Sequence, residues 1–367
     1  MVKVFYMRLK EYTEVDEKLP DRGILTQLPK IEIHRHLEGT YPIDSLFRLA
    51  IKNELDVPRE IEDFKKTFQF PKDHPPDFLL FLSKFKKFWY KTLADIESIT
   101  YDSVKSFTKE GLHYMELRFN PLHFTEKTKL DSKTVAKIII SASDAAAAEI
   151  NLEIRYLLTF NRGMQTAEEM LKTYRELHEI DLARVVGIDL AGDELTYPPA
   201  QFSTFFDVVK EEGKYGIDIH AGEVSDSQNM WTSIEQLHAD RIGHGVAAHQ
   251  DIEIQKVLRD RNIFLAQCIT SNRQTGAWRD EATHPMKTLS EAGVPVTIAS
   301  DDPTIQNSDL VDDYMKTVSN FGWTVDDLIA SNLRSVEACF LSKQEKLKLT
   351  KGYKQAVKDF RQKANLN

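Results

Sequence analysis

The sequence predicts an α/β fold: a (β/α)8 TIM barrel with extra helices inserted after the first strand and one more helix at the C-terminus. Three observations carry this. Short β-rich apolar runs alternate with longer helical patterns, and strands joined that way lie parallel, because a parallel neighbour needs a crossover connection. There are eight such runs, which suggests a closed barrel rather than an open sheet. Polar residues able to do chemistry stand at the C-terminal ends of several runs, where barrels of this kind keep their active sites. A chain of 367 residues is long for an ordinary domain, but α/β barrels with insertions often reach it, so residues 1–367 are read as one domain.

In chain order the runs are Lys30–His36, His113–Phe119, Leu152–Thr159, Val185–Leu190, Gly216–His220, Arg241–Gly243, Ile263–Cys268 and Val294–Ala299. Arg241–Gly243 is the weakest and would not be recognised by itself. The longest gap, about residues 40 to 112, follows the first run and contains Phe78-Leu79-Leu80-Phe81-Leu82-Ser83-Lys84-Phe85. One or more helices are expected there, as a lid over the barrel mouth; packing of the insertion on the barrel explains the same aromatics equally well. From about Lys343 to Asn367 the chain is rich in Lys, Gln and Ala and reads as a solvated terminal helix.

Composition narrows the function. Hydrophobic residues make up 41% and charged residues 29%, the balance of a soluble globular protein rather than a disordered or membrane one. A formal net charge of -9 argues against a nucleic-acid partner, which favours a basic face. Two cysteines, Cys268 and Cys339, lie far apart and form no CxxC pair, so neither a disulfide framework nor a thiolate metal site is expected. Met1 to Arg22 is charged throughout, without the apolar core of a signal segment, and no stretch approaches the roughly 18 apolar residues of a membrane span. The expected setting is cytoplasmic, without a membrane partner. Oligomeric state and regulation leave no signal in the sequence.

The strand ends carry the chemistry. The first run ends in His34-Arg35-His36. Residues two apart on a strand share a face, so the two imidazoles point together and Arg35 points away. Paired neutral imidazoles suit a divalent metal, because two protonated rings repel. The fifth run ends in His220-Ala221-Gly222-Glu223. Gly222 permits a sharp turn that would swing Glu223 back over the mouth; a plain surface carboxylate or a helix N-terminus are the bland readings. After the sixth run comes Gly243-His244-Gly245, where the glycines bring backbone close to something and leave the imidazole unobstructed. The eighth is followed by Ser300-Asp301-Asp302-Pro303. Adjacent carboxylates repel unless a cation or a proton compensates, although Asp before Pro also begins helices. Three histidine nitrogens and one aspartate oxygen form a mixed N/O set that suits Zn²⁺, with Fe²⁺ or Mn²⁺ as substitutes, and leave a position for water.

With these residues in place the chain resembles the adenosine deaminases of the amidohydrolase superfamily, more than the AMP deaminases. The resemblance rests on the segments 28–39 (LPKIEIHRHLEG), 187–194 (GIDLAGDE), 220–223 (HAGE), 241–246 (RIGHGV), 270–275 (TSNRQT) and 300–303 (SDDP), in that order. It implies one zinc ion per chain on His34, His36, His220 and Asp301. It implies Glu223 as the acid that protonates purine N1 while hydroxide adds at C6, with His244 and Asp301 orienting that hydroxide. Asp302 would bond N7, the Gly192 backbone N–H would reach N3, Glu38 would hold the ribose 5′-hydroxyl, and Phe78–Phe85 would form the lid. His36 thus stands beside both metal and substrate. The implied activity is hydrolytic deamination of adenosine and 2′-deoxyadenosine to inosine and ammonia, in purine salvage. Two departures stand out: Glu38 occupies a position where Asp is usual, and Ala299-Ser300 replaces the usual Asn-Thr. The first leaves tolerance of 5′-modified nucleosides open.

Other readings keep part of this chemistry. Adenine, a 5′-thio-adenosine or aminofutalosine would use the same metal and acid. A two-metal amide or phosphoester hydrolase on the same barrel would want a bridging lysine at a strand end, and none is found there. A catalytically dead relative would have lost a ligand or the acid. Arg118, Asn120, His123 and Ser271 are left open, as supports of the site or ordinary strand-end polar residues.

Overall fold

The computed structural model describes residues 19–126 and 128–366. Its eight strands are β1 (Lys30–His36), β2 (Leu112–Phe119), β3 (Glu153–Arg162), β4 (Val185–Gly192), β5 (Gly216–Ala221), β6 (Arg241–His244), β7 (Phe264–Gln267) and β8 (Val296–Ile298). They form one sheet in sequence order, each parallel to the next. The ring closes just beyond β8: Asp301 N–H donates to His34 O (2.9 Å) and His36 N–H donates to Asp301 O (3.0 Å). The seam of the barrel therefore joins two of the stretches that carry the chemistry.

All eight predicted strands are present, including the weak sixth. β6 was faint because its four residues, Arg-Ile-Gly-His, are all buried yet only one is apolar. Strands wrapped on both faces normally read as apolar runs; here the inside of the barrel is partly polar. Arg241 donates to Asp218 (2.9 Å) and Glu116 (2.7 Å), and Arg118 donates to Asp218 (2.8 Å) and lies 3.1 Å from Asp189. All five side chains are fully buried. Both guanidiniums also donate to Ile33 O, and Arg241 stacks 4.2 Å from the Phe340 ring. Burying charge is tolerable only when each group is paired and hydrogen-bonded, as here.

On the outer side of β1, Arg35 points away from His34 and His36 as the strand period requires. It is not solvated: its guanidinium forms a two-pronged pair with Glu110 (2.8 and 2.7 Å). Glu32 accepts from His34 N–H (2.9 Å) and from the Ser300 N–H and hydroxyl (3.0 and 2.6 Å), tying β1 to the segment after β8.

The insertion after β1 holds helices Ile43–Lys52, Ile61–Phe68, Phe78–Leu82 and Leu93–Ser106. Within it Trp89 packs edge-on against Phe64 and Phe68. Two backbone bonds pin it to the barrel mouth, Phe70 N–H to Ile305 O (2.7 Å) and Asp77 N–H to Gln274 O (2.9 Å). Asp77 then caps the Phe78–Leu82 helix through Leu80 N–H. The C-terminal helix, Lys343–Ala364, differs from the solvated element expected. Leu349, Tyr353, Val357 and Phe360 are buried on one face, the first three with Ile31, Ile33 and Tyr114. Lysines at the intervening positions masked this amphipathic stripe. Cys268 and Cys339 are both free and buried. Among the described residues no helix is long and apolar enough to cross a membrane. Of the charged N-terminal segment, residues 1–18 lie outside the described residues.

Removing one partner from a buried charge network leaves the others unpaired, which destabilises by about 3–5 kcal/mol. Arg241→Met is therefore expected to lower unfolding stability by about that amount in urea titration at neutral pH, although the site lies at the other end of β6.

Candidate active site

The strand ends meet in one place. His34 and His36 come from β1, His220 from β5, His244 ends β6, and Asp301 lies beyond β8. Ligand atoms of His34, His220, His244 and Asp301 all lie within 4.8 Å of one another. His36 Nε2 joins them at 3.1 Å from His220 Nε2 and 3.4 Å from Asp301 Oδ1. His34 Nε2 is also 3.4 Å from Asp301 Oδ1.

Backbone strain marks the same spot. His244 and Asp301 both have φ of 62°, the left-handed region that side chains other than glycine disfavour. Such residues persist only where surrounding structure over-determines them, and they cluster at functional sites. Gly222 also turns left-handed, with φ of 63°, and brings Glu223 back over the mouth. At Gly243 the requirement is space: a Cβ there would stand 2.6 Å from the His34 ring.

The proton inventory separates the histidines. Burial pushes His34 well below its ordinary value, His36 to about 3 and His244 to about 4, so these rings are neutral. His34 is fully buried, and neither ring nitrogen has a hydrogen-bond partner among the described residues. His220 Nδ1 lies 2.9 Å from Asp189 Oδ1, so Nδ1 donates and Nε2 keeps its lone pair. His244 differs. Its Nδ1 faces the Asn272 amide nitrogen at 3.1 Å, while Asn272 Oδ1 is taken by His284 Nε2 at 3.1 Å. The His244 proton then sits on Nε2, which lies 3.7 Å from Glu223 Oε2. Three lone pairs and one carboxylate remain: burial opposes the charge of Asp301, but His244, His36, His220 and the Ser271 hydroxyl bring its pKa below the usual range. An orphaned, fully buried imidazole among such donors fits a divalent cation.

Three further carboxyls surround this centre, each pushed upward. Burial raises Glu223 well above its ordinary value, with Asp301 and Glu194 adding repulsion. Burial raises Asp302 in the same way, followed by Asp301 and Glu38. Asp302 precedes the short helix Pro303–Gln306 but makes no capping bond, and its Oδ1 has no partner, so the helix-start reading does not account for it. Glu38 follows β1 in a tight turn. Asn120 N–H donates to its Oε1 (2.6 Å), its Oε2 is unpartnered, and burial lifts its pKa to about 7.

A cavity joins these groups. His36, Glu38, Gly192, His220, Glu223, His244, Asp301 and Asp302 line it, and Phe78, Phe81, Leu82 and Phe85 face them from the insertion. His34 lies behind this wall. Phe78 and Phe81 are buried while Leu79 points to solvent, so the aromatic segment both covers the cavity and packs the insertion. Of the residues left open, Asn120 and His123 also line the cavity, Arg118 belongs to the charge network under the site, and Ser271 stands beside Asp301. Asp189, Glu194, Arg162 and Asn272 were not singled out from sequence. Asp189 and Glu194 sit in the 187–194 segment, where a carboxylate between strand apolar residues was the available signal.

Comparison with known proteins places the chain in a family. The family model described as adenosine deaminase matches residues 29–356. An adenosine deaminase of Yersinia enterocolitica is 32% identical over 332 residues, 87% of this chain and 96% of its own. Among solved structures, the adenine deaminase of Arthrobacter aurescens superposes with a TM-score of 0.82 at 23% identity, covering 90% of this chain and 99% of that one. The N6-methyl-AMP deaminase of Arabidopsis thaliana gives 0.79 at 22%, covering 92% and 100%. The likeness to the solved structures establishes the barrel; the family match and the curated relative, each spanning most of the sequence, establish descent, and the chain belongs to the adenosine deaminase family of hydrolases.

Proposed function

We propose that the chain deaminates adenosine and 2′-deoxyadenosine hydrolytically, releasing inosine or deoxyinosine and ammonia, with one zinc ion held by His34, His36, His220 and Asp301. One observation carries this: the imidazoles of His34, His36 and His220 and the carboxylate of Asp301 converge beside Glu223, a buried carboxyl that retains its proton. The mixed N/O donor set suits zinc, which when bound supplies a water of pKa near about 7 and so a nucleophile at neutral pH.

The chain's own groups do the rest. Adding water at C6 breaks the aromaticity of the purine, and a proton delivered to N1 lets the ring take up the electrons. Glu223, its pKa raised by burial, holds that proton. His244 carries its proton on Nε2 and offers it to the oxygen of the attacking water. N7 can only accept a hydrogen bond, so a neighbour must donate; Asp302, raised well above its ordinary value, keeps a proton to give. The Gly192 backbone N–H serves N3. The apolar insertion over the ring excludes water and strengthens each of these interactions.

The far end of the cavity favours a nucleoside over a nucleotide. Glu38 has one oxygen free to take the ribose 5′-hydroxyl, and a phosphate beside it would meet a buried carboxyl, while the cavity's Lys87 is paired with Glu126 and its Arg162 is tied to His220 O.

Three outcomes follow. The ultraviolet spectrum is expected to change on mixing with adenosine and deoxyadenosine, and much less with AMP, adenine or 5′-methylthioadenosine; turnover of adenine without adenosine contradicts the proposal. Glu223→Gln is expected to keep its zinc while losing roughly 10²–10⁴-fold in kcat. Asp189→Ala, which removes the acceptor orienting His220, is expected to weaken zinc binding by roughly 10–100-fold in a competition titration with a chelator.

A further inference from the structure

Glu223 hangs on a stretch with little backbone pairing of its own. β5 ends at Ala221, the chain turns left-handed at Gly222, and residues 222–225 form a bend before the helix Ser227–Glu235. The amides flanking Glu223 point instead at one side chain. Glu194, buried two residues past the end of β4, accepts from Gly222 N–H (3.0 Å), Val224 N–H (2.8 Å), Ser225 N–H (3.1 Å) and the Ser225 hydroxyl (2.7 Å). Gly222 N–H and the hydroxyl meet Oε2; the other two meet Oε1. The Asn229 amide approaches Oε2 at 3.4 Å and donates to Glu194 O at 3.2 Å. A second tie holds the base of the loop, Arg162 donating to His220 O at 2.6 Å.

We propose that Glu194 is the positioning residue for the catalytic acid: its carboxylate gathers the amides on both sides of Glu223 and so sets where that side chain meets the reacting ring. A carboxylate has acceptor capacity for all four donors and repels none of them. No apolar residue could fill this place, because three amides would be left without acceptors. The acid must lie within hydrogen-bond reach of the atom it protonates, and a displacement near 1 Å is enough to lose most of its contribution. Such a loss appears in kcat, since the proton is shared only in the transition state, while ground-state contacts at Glu38, Gly192 and the apolar insertion persist.

This inference rests on the role proposed for Glu223, and Glu223→Gln serves as its control. Glu194→Gln keeps the volume but turns an NH2 group towards amide donors. Steady-state kinetics with adenosine, beside metal analysis, are expected to show kcat reduced roughly 10–100-fold, KM within about threefold and one zinc per chain. Unchanged kcat, or a rise in KM alone, overturns the proposal. If Glu194→Gln fails to fold, Ser225→Ala decides, since it deletes only one donor: kcat lower by about two- to fivefold at unchanged KM supports the clamp, and unchanged kcat overturns it. Full activity in Glu194→Gln beside an inactive Glu223→Gln removes the clamp alone, whereas full activity in Glu223→Gln removes the acid.

Discussion

The hydrogen bond between His220 Nδ1 and Asp189 is where the stability of the barrel and the chemistry of its mouth become one problem. Asp189 is fully buried, and burial opposes its charge. Arg118 and His220 nevertheless hold its pKa below the usual carboxylate range. Arg118 leads to Asp218, Asp218 to Arg241, and Arg241 to Glu116 near the bottom of the barrel. Phe340 closes that end against Gly187, Gly216 and Arg241. A relay of paired charge therefore runs from floor to mouth and ends by fixing which nitrogen of His220 has a free lone pair. Hydrophobic burial drives the collapse of such a barrel, but this relay determines one orientation for the ring that the site needs.

The mouth is assembled against several costs at once. Four imidazoles stand with centroids about 5 Å apart, three of them forced neutral by burial. Two non-glycine residues adopt left-handed backbone. Two carboxyls, Glu223 and Asp302, are held where ionisation is disfavoured. Left-handed conformations of this kind cost of order 1–3 kcal/mol each, and the rest of the fold offsets them through the closed ladder at Asp301 and the paired charges beneath. A site so arranged has acids that keep their protons and imidazoles that lose theirs, the combination that the proposed hydrolysis requires at one pH.

Much of this was legible in the sequence because chemistry in a barrel concentrates at strand ends, and strand ends are short and polar. HxH, HAGE, GHG and SDDP each announced a donor, and all four converge. The eight strands were legible from alternation, yet β6 was faint: its apolar pattern is replaced by Arg241 and His244, which belong to the relay and the site. The C-terminal helix read as solvated because its lysines outnumber the four residues it buries. What could not be read was reciprocity across long separations. Nothing near Glu194 says that its carboxylate faces amides some 30 positions later, and nothing near Glu38 says that Asn120 approaches it; such pairs exist only once the ring closes.

In the proposed site His34, His36, His220 and Asp301 share one cation while His244 stands apart with its proton towards the reacting oxygen. Anomalous diffraction at the zinc edge, on crystals grown from metal-analysed protein, separates this arrangement from its alternatives. A single peak per chain is expected at the barrel mouth, within ligand distance of those three imidazoles and Asp301. Two peaks, or one peak with His244 in the place of His36, would contradict it.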